Sequence, residues 1–136
     1  MIALALKNAG YSADWYRQVG AVVVKNKQVL VSGYNKRQPT PHSAYIEDDP
    51  RNFLTYGEDT HLRHTLHAEQ DVIAQAAKNG ISLDGAEMYV TTFPCPDCAA
   101  NIAASGIKKC YFSEGYAQLD GEKILRQSGI EIIQVK

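Results

Sequence analysis

Two short stretches, His67-Ala68-Glu69 and Pro94-Cys95-Pro96-Asp97-Cys98, constrain this chain more than any other part of it. They supply one histidine and two cysteines, and zinc in a catalytic site takes three protein ligands and leaves a fourth position for water. Pro96 suits the first turn of a helix. Cys95 and Cys98, three residues apart, then share one side of that turn. Unsatisfied N–H groups and partial positive charge at a helix start favour thiolate over thiol. His67 and Glu69 are two apart and would diverge in mid-helix. That conflict disappears if a helix begins near His67, so both helices are expected to aim their N-termini at one ion. Glu69 then lies close enough to move protons for a water at the open position.

The rest of the chain predicts a scaffold for this meeting point. Ile2 to Ala9 reads as a short helix stopped at Gly10. Val19 to Val24 is β-branched and dense enough for a buried strand. Lys25-Asn26-Lys27 is a polar turn, and Val29 to Tyr34 returns as the second strand of a hairpin. From Pro39 to about Asp59 no period is sustained, and loops of that length in compact domains tend to be functional or disordered. A helix with Leu66, Ile73, Ala76 and Ala77 on its apolar face runs to Asn79, with Gly80 as its stop. Glu87 to Thr92 is a third strand, the cysteine helix ends at Gly106, and Lys109 to Phe112 is a fourth strand. Gln118 to Ser128 is helical, Gly129 closes it, and Ile130 to Val135 is the fifth strand.

Alternation of helix and strand after the hairpin implies parallel strands joined by right-handed crossovers. The connection from Gly115 to Gly129 is too long for a hairpin and suits a crossover helix, so strands four and five should be parallel. The expected fold is a three-layer α/β/α domain with a five-stranded mixed sheet. At 136 residues it forms a single domain over 1–136 with one core.

A net charge of −1 gives no basic footprint for a polynucleotide partner, so nucleic acid is not the expected ligand. No apolar run is long enough to cross a bilayer. Three cysteines, two of them in C-x-x-C, argue for an intracellular metal or redox site over a disulfide framework, and a cytoplasmic location is expected. Two thiolates would neutralise Zn²⁺ with a neutral imidazole as third ligand, and the metal lowers the pKa of a bound water toward ~7. Attack of that water on an electrophilic carbon, with Glu69 carrying the protons, is the chemistry such a set suits.

H-x-E followed by P-C-x-x-C is the signature of zinc nucleobase deaminases. Over nearly its whole length the chain resembles the cytidine and deoxycytidylate deaminase superfamily, and most of all its deoxycytidylate deaminase branch. The likeness is carried by Gln18 to Val24, Gly33-Tyr34-Asn35, His67-Ala68-Glu69-Gln70, Tyr89 to Cys98, Ser105 to Lys108 and Gly129-Ile130-Glu131. The resemblance implies that His67, Cys95 and Cys98 bind Zn²⁺ and that Glu69 is the proton shuttle. It implies further that Asn35 holds a sugar hydroxyl and that Ala68, Thr92, Phe93, Pro94 and Tyr116 border the substrate, with Tyr111 to Tyr116 beside the pocket. The reaction it implies is hydrolysis of a free cytosine nucleotide, dCMP to dUMP and ammonia, by a homo-oligomer. Lys36, Arg37 and Arg51 are candidate clamps for the single phosphate.

There are departures from the family's pattern. Deoxycytidylate deaminases often have glycine where this chain has Lys36. Some carry additional cysteines and histidines for a second zinc, whereas only Cys110 is left over here, inside a strand. Plainer roles stand beside the functional ones. Cys95-x-x-Cys98 alone is also a redox pattern, and His61 or His64 as a fourth ligand would make the zinc structural. His42 reads as a loop hydrogen bonder, Cys110 as a small buried hydrophobe, and Asn35 taken alone as a turn residue. Alternative functions are a cytidine, guanine or tRNA-adenosine deaminase, or, from another class, a non-catalytic zinc-stabilised binding or regulatory protein. Cysteine usually stands at the His67 position in tetrameric nucleoside deaminases. A tRNA enzyme often ends in an arginine-rich helix, and this chain is expected to end in a strand. Glu69 argues against a purely structural site, which needs no proton carrier.

Overall fold

The valine-rich run 21–24 lies in the middle of the architecture because both of its faces are covered. In the computed structural model, which describes residues 1–14, 17–37, 65–115 and 119–136, it forms strand β1 (Gly20–Lys25). Side chains alternate across a strand. Val22 and Val24 pack with Ala5 of helix α1 (Ile2–Ala9), while Ala21 and Val23 enter the larger core on the opposite face. A strand buried on both sides has no polar face to show, which is why its sequence does not alternate.

β1 turns back into β2 (Gln28–Tyr34) through Asn26 and Lys27, whose φ angles of 51° and 64° give the doubly left-handed turn that matches hairpin twist. On its other edge β1 pairs antiparallel with β5 (Glu87–Thr92). β5 pairs parallel with β6 (Lys109–Glu114), and β6 pairs parallel with β7 (Glu131–Gln134). The sheet order β2-β1-β5-β6-β7 is the expected five-stranded mixed sheet, with the last two strands parallel.

Helices α2 (Ala68–Lys78), α3 (Pro96–Ala104) and α4 (Leu119–Gln127) cover the face opposite α1. Val72 and Ala76 from α2, Ala99 and Ile102 from α3 and Leu125 from α4 meet Met88, Val90, Cys110 and Phe112 from the sheet. Cys110 is fully buried there, as its apolar surroundings suggested.

Two local expectations need correction. Leu66 is not on the helix face: it belongs to β4 (Thr65–Leu66), which pairs with β3 (Lys36–Arg37) in a separate two-stranded ladder. The helix starts only after His67, so its buried stripe is Ala68, Val72 and Ala76, and Ala77 is exposed. Two-residue strands have too few positions to show a period, so no pattern announced this ladder. The loop expected from Pro39 to Asp59 lies outside the described residues.

Candidate active site

The site forms where β5 and β6 end, the edge at which open α/β sheets place their ligands. β5 stops at Thr92, and the Phe93 N–H donates to the Glu114 carbonyl across the strand ends (2.8 Å). The Phe93 ring packs edge-on against Phe112 (4.9 Å between centroids), which anchors the turn into α3. Cys95 is the N-cap of α3, Pro96 opens its first turn, and Cys98 lies three residues beyond the cap. His67 is likewise the N-cap of α2, with the Gln70 side-chain oxygen accepting from its backbone N–H (3.0 Å). That bond is half of a capping box and fixes where the helix begins.

Both helix starts therefore meet, as the spacing of the two motifs predicted. His67 Nδ1 lies 3.2 Å from Cys98 Sγ and 3.5 Å from Cys95 Sγ. One ligand atom from each of the three residues lies within 4.8 Å of the others. Two sulfurs and one imidazole nitrogen, with no fourth His, Cys, Asp or Glu in this group among the described residues, form a soft donor set that fits Zn²⁺ with an open position. All three cysteines are free thiols. His61 and His64, the alternative fourth ligands, lie outside the described residues, as does His42.

The electrostatics suit a cation. The Cys98 thiol beside Cys95, and then the His67 ring, draw the Cys95 thiol down to about 4. The same sulfur–sulfur contact, with burial, pushes Cys98 up, so without metal the two sulfurs share one proton. His67 is raised by its contact with Cys95, against the lowering effect of burial. Glu69, in the first turn of α2 and only 4 % exposed, is raised by burial, and its own backbone N–H and the charge on His67 pull partly the other way. A buried carboxyl with a raised proton affinity thus lies beside the metal donor set.

The remaining expected residues fall into distinct groups. Ala68 is fully buried in the core, Pro94 is also buried, Phe93 is nearly so and Thr92 is half-buried. These four adjoin the donors in the chain, Ala68 directly after His67 and Thr92 to Pro94 directly before Cys95. Asn35 is buried and its amide is already engaged: Oδ1 accepts from the Val19 N–H (2.8 Å) and Nδ2 donates to the Arg17 carbonyl (2.7 Å). A primary amide has one further N–H and one further lone pair beyond these two bonds. Tyr111 points away from the donors, stacking on Tyr89 (4.3 Å, 3°) on the α1 face of the sheet. Tyr116 and Arg51 lie outside the described residues.

The phosphate clamp needs correction at two positions. Lys36 is tied to the buried Asp71 carboxylate (Nζ to Oδ2, 3.0 Å) and lies over the Tyr34 ring (4.2 Å), while Arg37 is buried. Asp71 is the residue that sequence reasoning missed. A carboxylate in the first turn of a helix ordinarily reads as a dipole partner on the surface, and its partner Lys36 lies far away in the chain.

Residues 1–114 match the cytidine and deoxycytidylate deaminase zinc-binding region. The chain is 32 % identical to the deoxycytidylate deaminase of Enterobacteria phage T4, across 98 % of this chain and 86 % of that one. It is 34 % identical to ComE operon protein 2 of Bacillus subtilis over 87 % of its own length, and spans 60 % of that protein. Among solved structures, the cyanophage S-TIM5 dCMP deaminase in complex with dCMP and dUMP superposes with a TM-score of 0.76 at 34 % identity, covering 98 % of this chain and 93 % of that one. The donor set, its position at the strand ends and these likenesses agree: the chain belongs to the cytidine and deoxycytidylate deaminase zinc-binding family.

Proposed function

We propose that residues 1–136 form one deaminase domain that hydrolyses a free cytosine nucleotide, dCMP to dUMP and ammonia. The observation that carries this reading is the buried Glu69 in the first turn of α2, beside the donor set built by His67, Cys95 and Cys98. His67 Nδ1 and the two cysteine sulfurs would hold Zn²⁺, which when bound supplies the Lewis acidity that brings a water's pKa to about 7.

Glu69 does the proton work. Its carboxylate takes a proton from the attacking water and delivers it to the ring nitrogen next to the amine-bearing carbon. As the new carbon–oxygen bond replaces the carbon–nitrogen bond, a second proton passes through the same carboxyl to the departing ammonia. Burial raises this group's affinity for a proton, which suits a carrier that must alternate between states. Ala68, Thr92, Phe93, Pro94, Asn35 and Tyr116 are assigned to holding the base and sugar. The dCMP-bearing cyanophage structure, similar over 98 % of this chain, supports the choice of a monophosphate. Lys36 is engaged by Asp71 and Arg37 is buried; Arg51, which also has neighbouring acids to pair with, ranks no higher than they do as a phosphate contact.

No helix among the described residues is long and apolar enough to cross a membrane. The reading carries with it a cytoplasmic location, where the free thiols stay reduced, and self-association. Light scattering that returned a monomer mass at micromolar concentration would overturn the self-association. The decisive experiment on function is ammonia release from the zinc-loaded protein with dCMP, CMP, deoxycytidine and cytosine. The proposal expects dCMP to give the highest kcat/KM. Equal rates on dCMP and deoxycytidine would refute phosphate recognition, and faster turnover of guanine or of a tRNA would move the enzyme to another branch.

A further inference from the structure

Lys36 and Asp71 form an ion pair in a place where charge is expensive. Their side chains are only 18 % and 7 % exposed, with Nζ and Oδ2 3.0 Å apart. Replacing such a pair with apolar groups is often neutral or stabilising, so a buried ion pair is weak grounds for a stabilising role. What the pair connects is more telling. Asp71 lies two residues beyond Glu69 in α2, and its N–H donates to the His67 carbonyl (2.8 Å). Its carboxylate oxygen Oδ2 accepts from the Tyr34 N–H (3.3 Å), the Lys36 ammonium and Gln75 Nε2 (3.0 Å). Gln75 Nε2 also reaches the Ser32 carbonyl (3.1 Å). One oxygen thus grips both residues that flank Asn35.

The surroundings are shaped for this grip. A Cβ at position 33 would fall onto Asp71 Oδ2, so glycine there is what lets the carboxylate reach the strand. The Tyr34 ring lies over the Lys36 ammonium at 4.2 Å, a contact in the range of cation–π attraction. Asn35 itself reaches the other way, to Arg17 and Val19. The elbow between β2 and β3 is therefore held on one side by the 17–19 segment and on the other by the turn of α2 that carries Glu69.

We propose that Asp71 and Lys36 are positioning residues that hold the Asn35 elbow in register with the first turn of α2, so that the pair sets how well the nucleotide is held for deamination. This rests on the functional reading above, in which Asn35 contacts the sugar and Glu69 carries protons. Neither residue touches the reacting atoms.

The test is a double-mutant cycle on the zinc-loaded protein: Asp71→Asn, Lys36→Met and both together, with Lys36→Arg as the conservative variant. Zinc content, melting temperature and dCMP kinetics are measured, each variant being assayed at the same interval below its own melting point. We expect one zinc per chain throughout. KM should rise about tenfold or more in each single variant with a smaller change in kcat, the double variant should be no worse than the poorer single one, and Lys36→Arg should recover most of the loss. That non-additivity is the mark of residues acting as a unit. Kinetics within twofold of wild type in the folded, zinc-loaded variants would overturn the proposal, and so would losses that multiply across the cycle. If the wild-type protein does not turn over dCMP, the functional reading fails. Hydrogen exchange across 33–37 and 67–71 then decides the bracket: both segments should lose protection together in Asp71→Asn or Lys36→Met, and independent behaviour would overturn it.

Discussion

Replacing Glu69 with glutamine isolates proton transfer from everything else the site does. The substitution keeps the shape of a side chain that is 4 % exposed, so no cavity opens, and it removes none of the three metal donors, while glutamine can still hydrogen-bond to Cys98, which the Glu69 carboxyl contacts. General acid–base help of this kind is worth about 10²–10⁴ in rate. At ~1.4 kcal/mol per factor of ten, that is about 3–5 kcal/mol of barrier. The upper half of the range is expected, because in the proposed mechanism Glu69 carries protons on both sides of the reaction, and it is buried too deeply for solvent to replace it easily. The loss should fall on kcat, with KM little changed and zinc content retained by elemental analysis. A second readout follows from burial. The folded carboxyl is raised above its usual 4.5. Metal-free stability contributed by its protonated form is therefore fully present below 4.5 and is lost as pH rises through the folded value. Glutamine cannot ionise, so Glu69→Gln should remove that decline in chelator-treated protein. A variant that loses its zinc, or turns over substrate at more than a tenth of the wild-type rate, would refute the assigned role.

Zinc uptake should strengthen as pH rises from 6 to 8, because binding displaces the proton shared by Cys95 and Cys98 and any proton on the raised His67; a flat chelator-competition profile would contradict the donor assignment. In metal-free protein Cys95, drawn down to about 4, should stay reactive toward iodoacetamide at pH 6, where an ordinary thiol is nearly inert, and zinc should protect it; peptide mapping reads both. Cys110, fully buried and pushed up to about 12, should be alkylated only on unfolding. Gly20→Ala should cost about 1–3 kcal/mol, seen as a lower melting temperature, since its Cβ would fall onto the Ala5 carbonyl and lie 2.6 Å from Ala9 N, both backbone atoms of α1.

Much of the fold was legible because its signals are local. The glycines at 80, 106 and 129 all adopt positive φ just beyond the helices they were expected to stop. The order of elements then left a parallel crossover as the only connection of suitable length into β7. What was not legible depends on contacts between distant segments. The β3–β4 ladder joins residues 36–37 to 65–66, and neither partner has enough residues to show a period. Leu66 was misplaced for a related reason: an apolar residue just before a helix looks like part of its face until the cap is located.

The site divides along the same line. His67, Glu69, Cys95 and Cys98 stand out in sequence because the chemistry demands those residue types, and a helix start resolves the awkward spacing of the first two. Lys36 gave no such signal, and its charge suggested a ligand phosphate. The structure gives that charge a different use, since a lysine side chain that is 18 % exposed and 3.0 Å from a buried carboxylate has its counter-ion already. A phosphate recruited to Lys36 would compete with Asp71 for that ammonium, and breaking a buried pair by removing one partner costs ~3–5 kcal/mol in comparable cases. On the proposed monophosphate reading, phosphate recognition should therefore draw first on cations that do not have to give up a buried partner. The proposed part of Lys36 is to help fix the elbow on which Asn35 stands, a contribution made through position more than through charge.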